Sequence, residues 1–144
     1  MTHDELEQFL LSFEASQLRR DEENRLVIFE VDFAILGEIW RAKLAHPDDL
    51  GEFELTTGQK ILAHIENVDD NKAIFAILYE GTPIRIDMKT GRNLAKLLRE
   101  THASVVPSKL MNEREWNTVI GFGQIDASGM IDLLRLSYRL VTEG

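Results

Sequence analysis

The chain has 144 residues, of which 44% are hydrophobic and 28% are charged, and it has a net charge of -9. These values are ordinary for a soluble globular domain and suggest neither a disordered nor a membrane-spanning protein. The sequence contains no cysteine, which also excludes disulfides, thiolate metal sites and cysteine nucleophiles. We expect one domain over residues 1–144. Because the first residues are acidic and polar, unlike a signal peptide, we expect a cytoplasmic protein.

The charge is distributed unevenly along the chain. Residues 1–70 contain 17 acidic and 6 basic side chains, a balance of -11, whereas residues 71–144 contain 8 and 10, a balance of +2. The acidic half repels phosphate backbones. An anionic partner should therefore bind the second half.

The first third of the chain predicts a helix followed by a strand. Thr2 and Glu5 have the spacing of a capping box, and apolar residues recur at helical spacing after them, so we expect a helix over residues 3–18. Acidic residues on another side of this helix could bind a cation, although a solvated face is the simpler interpretation. Residues 19–24 form a charged connection, and the β-branched and aromatic residues of 25–31 predict a strand.

Residues 32–44 fit either a helix face or a hairpin, and we favour the hairpin because residues 39–44 alternate. Residues 46–51 have the composition of a turn. Alternation then predicts strands over residues 60–68, 73–79 and 84–89, joined by short turns into an antiparallel meander. In the last of these, Arg85, Asp87 and Lys89 should face water.

A basic helix is expected next, from an N-cap at Thr90 to about Thr101, with three leucines facing inward. Arg92, Lys96 and Arg99 share another face of this helix. Together with neighbouring cations they form a candidate anion-binding or nucleic-acid-binding set. A solubilising surface is the alternative interpretation. The full set is Arg85, Lys89, Arg92, Lys96, Arg99, Lys109 and Arg114. From residue 85 to residue 115 the local balance is +3.

Residues 105–119 should form a structural hinge. Pro107 disfavours a helix before it, while Asn112 and Glu115 again have capping-box spacing, which predicts one helical turn that directs Trp116 inward. A short strand over residues 118–120, a turn at residues 121–123 and a final helix capped by Asp126 or Ser128 should complete the chain.

These segments resemble the MmcQ/YjbR-like family of small bacterial proteins from about residue 53 to residue 141. The likeness rests on Pro107-Ser108-Lys109, Asn112, Trp116-Asn117-Thr118-Val119 and Ser137-Tyr138, with support from residues 58–63 and 94–98. The resemblance implies an α+β fold of the frataxin/CyaY-like kind, an antiparallel sheet with helices packed on it, and a DNA-binding role. Residues 19–50 are acidic and longer than the connection usual in the family, so they form either a longer connection or an extra hairpin.

We therefore expect a non-enzymatic binding module, with DNA as the partner that the resemblance implies. The alternative is a protein-interaction or regulatory module that binds a partner or a second copy through exposed apolar residues of 32–44, notably Trp40. No catalytic residue, metal or cofactor is expected, because the four histidines share no metal-ligand spacing and no Gly-rich phosphate loop or nucleophile elbow is present.

Overall fold

The computed structural model describes residues 1–121 and 123–144, and over these residues the chain forms one six-stranded sheet with helices packed against it. The strands are β1 Ser16–Asp21, β2 Leu26–Asp32, β3 Lys72–Tyr79, β4 Arg85–Lys89, β5 Val105–Pro107 and β6 Trp116–Ile120. The helices are α1 His3–Leu11, α2 Phe33–Leu44, α3 Glu52–Asn67, α4 Arg92–Thr101 and α5 Ala127–Glu143, with a short 3-10 helix at Pro47–Asp49. The strand order is β1-β2-β3-β4-β6-β5 and every neighbouring pair is antiparallel, so β1 and β5 are the edges.

The helices cover one face of the sheet, and the main core lies between them and the strands. Alternate residues of β2, β3 and β4 enter this core, where Phe29, Phe75 and Met88 are fully buried. Helix α5 supplies Met130 and Leu134 from the opposite side. The period of two in the strands and the apolar stripe of the helix therefore meet at one interface.

The other face of the sheet has no helix on it among the described elements. Its apolar centre is a small cluster of Leu26, Ile28 and Ile77. Met111 packs against this cluster from residues 108–115, the loop that joins β5 to β6. We call this side the open face, and it positions the candidate site described below.

The hairpin expected at residues 32–44 was wrong, because these residues form α2. The Asp32 side chain accepts a hydrogen bond from the Ile35 amide at 3.1 Å and so caps the helix. Phe33, Leu36 and Trp40 are buried at helical spacing. The alternation at residues 39–44 is a coincidence on a helix that packs against α3.

The strand expected at residues 60–68 was also wrong, since these residues lie in α3. Gly58 and Ile61 are the buried residues of this helix, three positions apart, which is the helical rather than the strand period. The antiparallel meander therefore consists of β2, β3 and β4. The other two predicted strands of the meander, at residues 73–79 and 84–89, are confirmed as β3 and β4.

Two helix boundaries also differ from the expectation. Helix α1 ends at Leu11 rather than residue 18, and Ala15 with a φ of 59° turns the chain into β1. The residues of β1 were expected to be the end of the helix and the start of a connection. The N-cap of α4 is Gly91 and not Thr90. The capping box of Thr2 and the cap at Asp126 are confirmed. Of the turn expected at residues 121–123, Phe122 lies outside the described residues.

Candidate functional site

The predicted cations lie around the β5 edge of the sheet, but on both of its faces. Helix α4 packs on the helical face, where the Asn117 side-chain amide of β6 donates to the Ala95 carbonyl at 3.0 Å. Arg92 and Lys96 are exposed on this helix, and the Arg99 side chain donates to the Ala95 carbonyl at 3.2 Å. The three basic residues of α4 therefore form the part of the set that lies beside the helices.

Arg85 and Lys89 lie on the open face. Arg85 is exposed, and its guanidinium carbon is 5.0 Å from the centroid of the Tyr79 ring, which is cation-π distance. The Lys89 ammonium lies 3.9 Å from a carboxylate oxygen of Glu115. Of these two cations, Arg85 is the one available to a ligand.

Lys109 and Arg114 belong to the loop between β5 and β6, and both are exposed. The loop ends in a turn in which the Trp116 amide donates to the Asn112 carbonyl at 2.9 Å, while the Asn112 side chain accepts from the Arg114 amide at 3.0 Å. Trp116 itself is 5% exposed. The expected turn and inward indole are confirmed, but the capping box of Asn112 and Glu115 was wrong, because the Asn112 side chain accepts from the Arg114 amide instead.

Most cations of this set are not ion-paired. Among the residues that the structure describes, Arg85, Arg92, Lys96, Arg99, Lys109 and Arg114 have no carboxylate oxygen within 4.0 Å. By the same measure, Arg19, Arg20, Arg25 and Lys43 are paired, whereas Arg41, Lys60 and Lys72 are three further unpaired cations elsewhere in the described residues. The positive charge that carboxylates leave unneutralised is therefore concentrated around the β5 edge.

A cavity of about 250 Å³ lies on the open face between Arg85 and Lys109. Its other lining residues are Tyr79, Val106, Pro107, Thr118 and Ile120. The strand register explains why they meet, because Arg85 pairs with Tyr79 on one side and with Ile120 on the other, and Val106 pairs with Thr118. We call this space the Arg85 cavity.

Beside the Arg85 cavity lies the carboxyl group of Asp87, which alternation along β4 predicted to face water. Asp87 is fully buried, and it accepts hydrogen bonds from the hydroxyls of Tyr79 at 3.0 Å, Ser108 at 2.8 Å and Thr118. Burial raises the pKa of the Asp87 carboxyl, although the hydroxyl donors and the nearby Arg85 oppose this effect. The pKa of Tyr79 is raised to about 12, mainly by burial and secondly by the negative charge of Asp87. We call these four side chains the Asp87 network.

The expectation that Asp87 faces water was therefore wrong. Alternation correctly gave its direction, toward the open face, but the loop at residues 108–115 folds over that part of the sheet. A sequence signal did exist, because three hydroxyl-bearing residues occur in the strands and loop that meet there. Their pairing depends on the β4-β6-β5 order, which alternation alone does not reveal.

The remaining residues singled out from the sequence, Pro107, Tyr138 and Trp40, serve the structure of the sheet and core. Pro107 lies in the edge strand β5, where a missing amide costs no ladder hydrogen bond. The Tyr138 hydroxyl donates to the Glu14 carbonyl at 2.8 Å, and its ring stacks on Phe13 with the centroids 4.6 Å apart. Trp40 is 5% exposed and does not form the interaction surface proposed for it.

Two acidic side chains in and near helix α1 are engaged with cations of the chain. Glu7 pairs with Arg20 at 3.1 Å and Glu14 with Lys43 at 2.7 Å. Within residues 1–121 and 123–144, no group of three or more His, Asp or Glu side chains could hold a metal ion. No helix of the described residues is both long enough and apolar enough to cross a membrane.

The architecture defines an α+β protein in which a six-stranded antiparallel sheet has helices on one face. No family model matches the chain. The uncharacterized protein YjbR of Escherichia coli K12 is 37% identical to it over 54 residues, which cover 38% of this chain and 46% of YjbR. YjbR of strain O157:H7 gives the same values. The match therefore spans less than half the length of these relatives.

Solved structures extend the likeness to nearly the whole chain. The crystal structure of Deinococcus radiodurans DR2400, a DUF419 domain, has a TM-score of 0.68 and 20% identity, covering 99% of this chain and 79% of that one. A Pseudomonas syringae protein has a TM-score of 0.59 and 16% identity, with coverage of 98% and 99%. The resemblance to the MmcQ/YjbR-like family is confirmed, as distant homology to YjbR and as the fold of DR2400. YjbR is uncharacterized, so the function of this chain is argued from its own residues.

Proposed function

We propose that the protein is a non-enzymatic module that binds nucleic acid at the β5 edge of its sheet. The observation that supports this proposal is the concentration of cations without carboxylate partners at that edge. A strand that crosses the edge would contact α4 on one side and the Arg85 cavity on the other. Such contacts neutralise phosphates and release counterions, which is the main source of affinity for nucleic acid.

The global charge of -9 opposes this binding, but its effect on the β5 edge is limited by distance and salt. At physiological ionic strength, charges more than about 8 Å apart are largely screened from one another. Paired acidic side chains also contribute less field than free ones, and Glu7, Glu14 and Glu30 are all paired with cations. The local balance therefore matters more than the total.

Fluorescence anisotropy with labelled single- and double-stranded DNA tests the proposal. The informative variant is Arg92→Gln with Lys96→Gln, which removes two unpaired cations of α4. The matched control is Arg41→Gln with Lys60→Gln, which removes two exposed, unpaired cations elsewhere among the described residues. Both variants lower the net charge by the same two units, so they differ only in where the charge is lost.

Wild-type protein should bind at low salt, with an affinity that falls as salt is raised. The α4 variant should weaken binding and reduce the slope of log K against log salt by about 1.4–1.8, since each of the two lost phosphate contacts removes about 0.7–0.9. The control should retain nearly the whole slope. Equal losses in the two variants, or no binding to either form of DNA at low salt, would refute the proposal.

A second candidate function is a protein-interaction module, and exposed apolar side chains at the same edge favour it. Leu97 of α4 is 53% exposed, Leu110 of the β5–β6 loop 51%, and Val106 of β5 37%. Isolated exposed apolar residues are common, but here Val106 lies in the edge strand β5 and the other two lie on the elements next to it. Sedimentation velocity at increasing concentration tests association with a second copy. A dimer that Leu97→Ser together with Leu110→Ser dissociates would support this candidate, and a strict monomer would count against self-association.

A further inference from the structure

We propose that the Arg85 cavity is a binding site for one phosphate group, held by Arg85 and Lys109 and pre-formed by the Asp87 network. This inference rests on the proposed function, because the phosphate would be one of those on a nucleic-acid strand that crosses the β5 edge. It assigns that strand a defined point of contact on the open face, separate from α4.

The lining of the cavity suits an anion that is attached to a larger molecule. Arg85 offers a planar fork of donors that matches phosphate oxygens, and Lys109 supplies a second positive charge from the opposite side. Neither cation is paired with a carboxylate of the described residues, so an anion need not displace one. Val106, Pro107 and Ile120 add apolar surface, which a sugar could contact.

The volume of the Arg85 cavity fits a subsite for part of a ligand and not a pocket for a complete one. At about 250 Å³ the cavity is smaller than the roughly 300–1,000 Å³ of pockets that enclose whole small molecules. It has room for a phosphate and part of its sugar. The rest of the ligand would extend over the open face or across the β5 edge.

The Asp87 network explains how the loop that carries Lys109 is held in place. The Ser108 hydroxyl donates to Asp87 and also accepts hydrogen bonds from the amides of Leu110 at 3.3 Å and Met111 at 3.2 Å. The backbone on both sides of Lys109 is thereby attached to strand β4. Burying a carboxyl group costs free energy, and here it fixes the geometry of a site before the ligand arrives.

Chemical-shift titration of ¹⁵N-labelled protein with inorganic phosphate, with dTMP and with a short oligo-dT tests the inference. All three should shift the amides of β4 and of residues 108–111. Arg85→Gln should weaken phosphate and dTMP binding about tenfold or more, in line with loss of a charge-assisted hydrogen bond. Lys60→Gln, which removes an exposed cation of α3, should leave both affinities unchanged.

The three ligands distinguish the phosphate site from the nucleic-acid function on which it rests. If oligo-dT binds and depends on Arg92 and Lys96, while phosphate and dTMP leave the cavity unperturbed, the phosphate site is refuted and the function stands. If phosphate and dTMP bind at the cavity but oligo-dT does not bind, the site stands and the nucleic-acid function is refuted. Equal phosphate affinity in wild-type and Arg85→Gln protein would also overturn the inference.

A double-mutant cycle tests the positioning role of Ser108. Ser108→Ala changes no charge, but it releases the loop from Asp87, so phosphate affinity should fall several-fold. In a Lys109→Gln background the same change should have almost no further effect on affinity, because the cation that Ser108 positions is already gone. Additive losses would show that Ser108 affects phosphate affinity independently of Lys109 and would refute the positioning role.

Discussion

The contact between helices α2 and α3 gives a quantitative prediction. A Cβ added at Gly58 would lie 2.6 Å from a ring carbon of Trp40 and 3.0 Å from the next one, whereas ordinary contacts begin at 3.4 Å. Trp40 is 5% exposed, so its ring has little free space into which it can move. Gly58→Ala must therefore separate the two helices or rotate the indole.

Two effects of opposite sign determine the magnitude. Ala in place of Gly stabilises a helix interior by about 0.5–1 kcal/mol. Overpacking a filled core costs about 1–3 kcal/mol. Because the gap is short by 0.8 Å and the neighbour is a buried ring, the steric cost should exceed the gain, and Gly58→Ala should destabilise the protein by about 1–2 kcal/mol net.

Urea unfolding monitored by circular dichroism measures this change, and a second background isolates its cause. In Trp40→Leu protein the indole is absent, so Gly58→Ala should there be neutral or stabilising. If Gly58→Ala stabilises the wild-type protein, or destabilises both backgrounds equally, the contact between α2 and α3 does not have the geometry described. The same experiment tests whether residues 32–44 are helical, because a hairpin would not bring Trp40 to Gly58.

Three further predictions concern single hydrogen-bonded groups. Ser137→Ala should destabilise the protein by about 1–3 kcal/mol in urea unfolding, because the buried hydroxyl donates to the Phe75 carbonyl at 2.6 Å and accepts from the Lys89 amide at 2.8 Å. Thr2→Ala should cost about 1 kcal/mol through loss of the α1 cap, and Thr2→Ser should restore most of it. Burial raises the pKa of Asp87, so the folded protein holds this proton more tightly than the unfolded chain and is favoured at low pH. The unfolding free energy of wild-type protein relative to Asp87→Asn should therefore rise as pH falls from 7 toward 4. A difference that stays constant with pH would contradict the raised pKa.

The sequence predicted the parts of the fold that depend on local signals. The strands β2, β3, β4 and β6 and the helices α1, α4 and α5 have clear periods or caps, whereas the α+β class was implied by the resemblance to the MmcQ/YjbR-like family. The capping box at Thr2 and the cap at Asp126 are contacts between residues three apart, so sequence spacing is sufficient to identify them.

The errors at α2 and α3 arise where two periods overlap. In residues 60–68 an apolar residue occurs at almost every second position, which also satisfies a helix that is buried on only one side. The choice between the periods is made by the close approach of Gly58 and Trp40, residues 18 positions apart in the sequence. Tertiary contact overrides local preference at such positions.

The candidate site was predictable in composition but not in arrangement. The local excess of cations at residues 85–114 is visible in the sequence, whereas their division between the two faces of the sheet depends on strand order. The Asp87 network likewise requires β4 to lie beside β6, although α4 and β5 separate these strands in the chain. Hydrophobic patterns specify which side of a strand is buried but not which strand is its neighbour.

Amide chemical-shift mapping of ¹⁵N-labelled protein with a 12-nucleotide single strand tests most directly whether anionic strands bind at the β5 edge. Titration at low salt should perturb β4, α4, β5 and the loop at residues 108–115, and raising the salt should reverse these shifts. Residues of β1, β2 and α1, at the acidic edge, should remain unperturbed. Shifts confined to those acidic elements, or none at any salt concentration, would contradict the account.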